Sequence, residues 1–204
     1  MIRRELTRLL FVVMAIAGCV QLWQGAYIFA KAQLAQYLIK NAWQDTLVNK
    51  QPTKPWPWAD TWPVARLTIK QQDLFVLQGA NIPVLAFGPG FLEYTARPGA
   101  VGNTAILGHR DTHFSVLREV GRGEVITLSH TSGSIDYHIE DIKVVHKDQV
   151  PIVNLPSEHV LTLITCFPFD GIAANTPWRY VVVAQAKSSH LSELEIQRSM
   201  QQME

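Results

Sequence analysis

Cys166 ends the run Thr-Leu-Ile-Thr-Cys-Phe-Pro-Phe (162–169), in which apolar and small polar residues alternate as in a strand. Pro168 has no N–H to donate and stops further strand pairing, so the sulfur falls at a strand terminus, where side chains commonly face a cleft. A cysteine that works as a nucleophile must lose its proton, because a thiol of pKa about 8.5 is only a few per cent thiolate near neutrality. It also needs a group that stabilises the oxyanion formed when it attacks a carbonyl. Histidine usually serves the first need, and arginine or backbone N–H groups can serve the second. Of the seven histidines, His109 stands out because it ends Asn-Thr-Ala-Ile-Leu-Gly-His (103–109), again at the edge of a strand. His138 and His146 fall within the alternating stretch 137–146 and read as solvated or satisfied sheet residues. Arg179 opens the apolar strand Tyr180-Val181-Val182-Val183 shortly after Cys166, and is either a rim charge or part of a site.

The two cysteines cannot form a disulfide framework. Cys19 lies in an apolar N-terminal run, and a bilayer helix between the two thiols would keep them apart. The bland alternative for Cys166 is a buried, inert core thiol.

The elements that must carry these residues fit one domain of ordinary size plus an appendage, since the chain has 204 residues and 22.9 kDa. Charged residues make up only 17% of the chain, against about 25% in average soluble proteins. The formal net charge of +1 gives no reason to expect a nucleic-acid partner. The missing charge is local. Leu9 to Ala30 carries no charged side chain and approaches the roughly 20 residues needed to cross the hydrocarbon layer. Arg3, Arg4 and Arg8 precede it, opposed only by Glu5, which places the N-terminus in the cytoplasm and the remainder outside. Trp23 and Tyr27 suit the outer interface.

A cleaved signal peptide is the rival reading, with Ala30-Lys31-Ala32 as a small-x-small site; the central lysine and the long amphipathic continuation argue for retention. A buried core helix would not explain the one-sided basic flank. The expected organisation is a cytoplasmic N-terminus (1–8), a transmembrane anchor (9–30), a connector (31–61), a β domain (62–187) and a polar tail (188–204). In the connector, Leu34, Leu38 and Ala42 recur at helical spacing beside Ile39, Trp43 and Leu47. Pro52, Pro55, Pro57 and Pro63 then forbid a regular helix, while Trp56, Trp58 and Trp62 predict docking on the domain surface.

From Trp62 onward, short β-rich runs are punctuated by Gly and Pro. The expected strands are 64–69, 74–77, 103–107, 125–129, 137–145, 160–165 and 180–186, with a hairpin turn at Thr131-Ser132-Gly133 and a brief helical interruption at 114–120. This spacing points to an antiparallel barrel or sandwich. Ser192 and Glu195 could cap a short terminal helix.

Thr-Leu-Ile-Thr-Cys at 162–166, Gly108-His109 upstream and Arg179 downstream resemble the sortases, membrane-anchored cysteine transpeptidases. Arg97-Pro98-Gly99, Gly102-Asn103, Ile106, Gly108-His109-Arg110, Phe114 and Leu117 are similar to the family's pattern around its histidine. The likeness covers about 62–187. Thr-Cys-Phe-Pro-Phe and Trp178-Arg179-Tyr180-Val181-Val182 look most like the sortases of Gram-negative proteobacteria.

The resemblance implies an all-β fold: an eight-stranded antiparallel barrel with short helices, preceded by the transmembrane helix, single-pass in the cytoplasmic (inner) membrane with the barrel on the periplasmic side. It implies cleavage of a C-terminal sorting signal, often LPxTG-like, on a secreted protein, and transfer of the new carboxyl end to an amine acceptor of the cell envelope. Cys166 would be the nucleophile, His109 the general acid and then base, and Arg179 the substrate-positioning and oxyanion-stabilising group. Thr165 would help shape the substrate groove, as would 147–158. No cofactor or metal is implied, and no carboxylate cluster demands calcium.

Other classes fit less well. L,D-transpeptidases place arginine directly after the cysteine, where Phe167 stands, and papain-like enzymes place the cysteine at a helix N-terminus. His109, Asp111 and His113 alternate and could converge on a metal in a metallohydrolase, which would leave Cys166 unexplained. A non-catalytic, membrane-anchored β domain that binds protein is the remaining alternative.

Overall fold

The computed structural model describes residues 2–150, 158–171 and 176–186. The expected cap at Ser192 and Glu195 lies outside them, as does most of the 147–158 segment. The chain divides into two compact units, Met1–Leu38 and Ile39–Glu204.

The first unit is helical. Its residues belong to α1 (Ile2–Asn49), one unbroken helix of 48 residues. Over 9–29 its large apolar side chains stay exposed, Phe11 at 68% and Trp23 at 75%. Exposed apolar surface of that extent suits lipid and not water. The stretch from Arg8 is long and apolar enough to cross a membrane by length and composition, which makes it a candidate anchor.

The second unit is a closed barrel of eight strands: β1 (Pro63–Ile69), β2 (Gln72–Gln78), β3 (Gly90–Phe91), β4 (Gly102–Leu107), β5 (Val125–His130), β6 (Gly133–His146), β7 (His159–Phe167) and β8 (Trp178–Ala186). Their order around the barrel is β1-β2-β3-β4-β7-β8-β6-β5. The eight-stranded barrel is as expected; its uniformly antiparallel pairing is not. β2 pairs parallel with β3, and β4 pairs parallel with β7. The reason lies in burial. Nearly every residue of β4 and β7 is buried on both faces, the habit of strands inside a parallel arrangement, whereas β1 alternates buried and half-buried positions. The two-residue β3 is too short to show any period, and no strand was expected there.

One set of alternate side chains fills the barrel: Leu67, Val76, Ile106, Leu128, Leu163 and Val182 belong to a single buried cluster. Full burial of such a side chain contributes about 1.5–3 kcal/mol each. Phe114 and Leu117, flanking or within the 3-10 turn Ser115–Glu119, join that cluster, so the helical interruption expected at 114–120 is a tight turn folded onto the core.

The Trp-rich segment docks in part. Trp56 packs edge-on against Phe87 at 5.2 Å beside Ile39, Leu77 and Val84, while Trp58 remains 80% exposed. Val84 belongs to the short helix α2 (Ile82–Leu85), whose Val84 N–H donates to the Asn81 side chain at 3.0 Å.

Candidate active site

The site follows from strand register. Along the parallel pair, Gly102 stands opposite His159 and Leu107 opposite Ile164. The offset of 57 residues continues one step beyond the ladder, where the Thr165 hydroxyl meets the Gly108 carbonyl. Carried one residue further, it sets His109 level with Cys166. On the other side of β7, Cys166 is paired directly with Arg179 of β8. Cys166 and Arg179 thus share a rung of two strands about 4.8 Å apart, while His109 lies just beyond the end of β4, one residue past the tie at Gly108.

Cys166 and Arg179 also share one face. Because strand side chains alternate, the residues on the other face from the barrel cluster form a second row. Ala105, Ile164 and Val181 of β4, β7 and β8 pack together there, with Leu107 and Val145 against them. Cys166 and Arg179 continue that row at its end, and His109 follows two residues after Leu107, beyond the end of β4. Cys166 is half-buried and His109 exposed, so the thiol lies at the head of an apolar strip within reach of solvent.

Local contacts hold each group. The Gly108 N–H donates to the Ile164 carbonyl at 3.1 Å, and the Thr165 hydroxyl donates to the Gly108 carbonyl at 2.7 Å. Together they pin the residue before His109 to the two residues before Cys166. Gly108 must be glycine: a Cβ there would meet the Phe114 ring at 2.6 Å. The Phe114 N–H in turn donates to the His109 carbonyl at 3.0 Å, closing the loop after the histidine. Arg179 Nη1 donates to the carbonyls of Thr176 and Trp178 at 2.7 and 2.9 Å, anchoring the guanidinium at the start of β8.

Thr165 stands beneath the candidate groove. It is buried on the barrel side of β7 with its hydroxyl committed to Gly108, so it acts on the groove from beneath and offers no donor to a ligand. Arg110, the next residue after His109, is 6% exposed. Its guanidinium donates to the Pro168 carbonyl at 2.8 Å and to the Gly171 carbonyl. The only sequence signal for it was adjacency to the histidine.

His113 lies near enough to His109 for the two imidazoles to interact. Burial first, and that neighbour second, hold the His113 pKa below its ordinary value. Among the described residues no group of three His, Cys, Asp or Glu side chains could hold a metal ion, so His109, Asp111 and His113 do not form the cluster that a metallohydrolase needs.

A half-buried thiol, an imidazole and a guanidinium at one end of an apolar strip on a closed barrel can support nucleophilic acyl transfer: attack, proton transfer and oxyanion binding. The family model described as the sortase domain matches residues 67–187, and the chain belongs to the sortase family. Sortase D of Bacillus subtilis (strain 168) is 32% identical over 111 residues, which are 54% of this chain and 56% of that protein. The chain thus spans just over half the length of that curated relative. Among solved structures, sortase A from Corynebacterium diphtheriae superposes with a TM-score of 0.57 at 26% identity, over 64% of this chain and 63% of its own. The sortase D5 transpeptidase of Clostridium perfringens gives a TM-score of 0.61 over 76% of this chain and 99% of its own; at 19% identity it speaks for the fold alone.

Proposed function

We propose that the protein is a cysteine transpeptidase of the sortase type, with residues 62–187 as its catalytic barrel, 31–61 as a connector and 9–30 as a single-pass anchor in the cytoplasmic membrane. The basic residues before the span orient the barrel to the extracytoplasmic side. The substrate is a secreted protein with a C-terminal sorting signal, and the acceptor is an amine of the cell envelope. The likeness of 166–169 and 178–182 to proteobacterial sortases makes that compartment the periplasm.

The observation that supports this reading is the direct pairing of Cys166 with Arg179, together with the Gly108 bonds to Ile164 and Thr165 that bring the chain before His109 to the same end of β7. Cys166 passes its thiol proton to His109, and the thiolate Sγ attacks the carbonyl carbon of the scissile peptide bond. Arg179 stabilises the oxyanion by charge-assisted hydrogen bonds. The C–N bond breaks, and His109 donates a proton to the departing amine, leaving a thioester on Cys166. The acceptor amine then attacks the thioester and His109 takes its proton; the C–S bond breaks, the new amide departs, and His109 returns the proton to the Cys166 sulfur. The apolar strip of Ile164, Val181 and Leu107 underlies the bound peptide, and Thr165 holds its shape through Gly108. A thioester yields to a well-held amine far more readily than to water, so slow hydrolysis is the default when no acceptor is present.

Thiol labelling of the folded protein tests the assignment. Peptide mapping separates Cys166 from Cys19. An electrophile modifies Cys166 without denaturant if it is the nucleophile; a thiol that reacts only after unfolding is a structural one.

A further inference from the structure

The sheet alone does not finish the site. β4 ends at Leu107 and its last interstrand tie is at Gly108, one residue before His109. β7 ends at Phe167, one residue after Cys166. Both candidate groups therefore sit where the ladder gives out, and something beyond it must hold the two trailing segments together.

We propose that Arg110 is the positioning residue that does so, clamping the loop after His109 to the turn after Cys166. This rests on the sortase reading of the site. Arg110 is almost fully buried, and its planar fork donates to two backbone carbonyls of the 168–171 turn, Pro168 at 2.8 Å and Gly171. The Asp111 carboxylate lies 3.3 Å from its Nε. A guanidinium is kept out of water only where its donors find acceptors in their own plane, and a lysine in its place could serve one carbonyl at a time.

Gly171 shows how closely the turn is fitted to that fork. A Cβ there would come within 3.1 Å of Arg110 Nη1 and 3.2 Å of the Pro168 carbonyl oxygen. Arg118 joins the same two segments differently, through an ion pair with Asp170 at 2.8 Å and a contact over the Phe169 ring at 5.3 Å. Both members of that pair are solvent-exposed, where such pairs are weak. The buried fork, which grips main chain on one side and adjoins His109 on the other, is the element able to set the imidazole-to-thiol distance.

The test compares full-length wild type, Arg110→Ala, Arg110→Lys and Gly171→Ala, with Cys166→Ala as the blank. It measures kcat and KM for cleavage of a peptide that wild type turns over, the pH profile of kcat/KM, and the folded fraction by circular dichroism. A misplacement of about 1 Å can cost about 100-fold in rate. Arg110→Ala is expected to lower kcat by about that factor while KM changes by less than about three-fold, with a displaced pH profile. Arg110→Lys recovers part of the loss. Gly171→Ala, which keeps the charge but crowds the fork, moves kcat in the same direction by a smaller factor.

Arg110→Ala with kcat within about three-fold of wild type overturns the clamp, as does a loss that merely tracks the folded fraction with an unchanged pH profile. If Arg110→Ala does not fold, Gly171→Ala decides: unaltered kcat and pH profile overturn the proposal. A wild-type protein that forms no thioacyl adduct with any peptide overturns the underlying reading of the site, a result distinct from normal kinetics in the clamp variants.

Discussion

Cys166 and Arg179 are directly opposed residues of the β7–β8 ladder, on one face of the barrel. Opposed positions in an antiparallel pair place Cα atoms about 4.5–5.5 Å apart, close enough for the guanidinium to meet a group bound to the sulfur. The arginine is itself held by the carbonyls of Thr176 and Trp178. Its placement is thus established before any ligand arrives, which is the condition for effective oxyanion binding.

Arg179→Lys is expected to lose about 10²–10³ in kcat, the range for removal of one oxyanion donor, because a point charge replaces a fork held at two carbonyls. Steady-state kinetics on a cleavable peptide check it. Normal turnover in folded Arg179→Ala would take arginine out of the mechanism.

His109→Ala is expected to cost about 10²–10⁴ in turnover, the usual worth of a positioned acid–base group, with the unfolding midpoint nearly unchanged because the side chain is exposed. Turnover within ten-fold of wild type would mean that the proton travels through another group.

Thr165→Val keeps the shape of a buried side chain and removes its bond to the Gly108 carbonyl. Leaving that acceptor unpaired should cost about 1–3 kcal/mol in urea unfolding and lower kcat through His109. Gly108→Ala, whose Cβ would press on Phe114, should lose a similar about 1–3 kcal/mol by overpacking. Wild-type stability in both variants would contradict the account of how β4 and β7 position the histidine.

His113 gives the acid side of the stability curve a definite sign. Its folded pKa lies below the ordinary 6.5, through burial and then through His109, so the unfolded chain binds the proton more readily than the native one. Stability is therefore expected to fall as pH drops through 6.5 toward the folded value. His113→Gln should flatten that decline in urea titrations between about pH 7.5 and about pH 5.5. His130, lowered by burial and by His159, adds a slope of the same sign that His113→Gln leaves in place. An identical decline in the variant would assign the whole effect elsewhere.

Candidate site positions could be nominated at the ends of two short runs, 103–109 and 162–166, because strand composition followed by a polar stop is a local signal. Seven of the eight strands could be read for the same reason. The pairing of β4 with β7 could not, since which strands lie side by side depends on the whole chain closing into a barrel. Yet that parallel pairing is what brings the ends of the two runs together: an antiparallel pairing in the same place would have set His109 and Cys166 at opposite ends of their strands. Arg110 was hidden for a related reason. Its partners, Pro168 and Gly171, are backbone carbonyls with no side-chain signature, and only the folded chain brings them near. Thr165 is expected to help shape the groove; its place beside Cys166 in a strand turns it to the opposite face, so any such effect comes from beneath.

Intact-mass spectrometry of wild type and Cys166→Ala, after incubation with a library of sorting-signal peptides with and without candidate amines, tests the central claim most directly. The account predicts a mass increase equal to an acyl fragment on wild type, mapped to Cys166, discharged by an amine into a new amide product and absent from Cys166→Ala. Cleavage or transfer that persists in Cys166→Ala, or a wild-type thiol that stays unmodified while peptide is consumed, would contradict it.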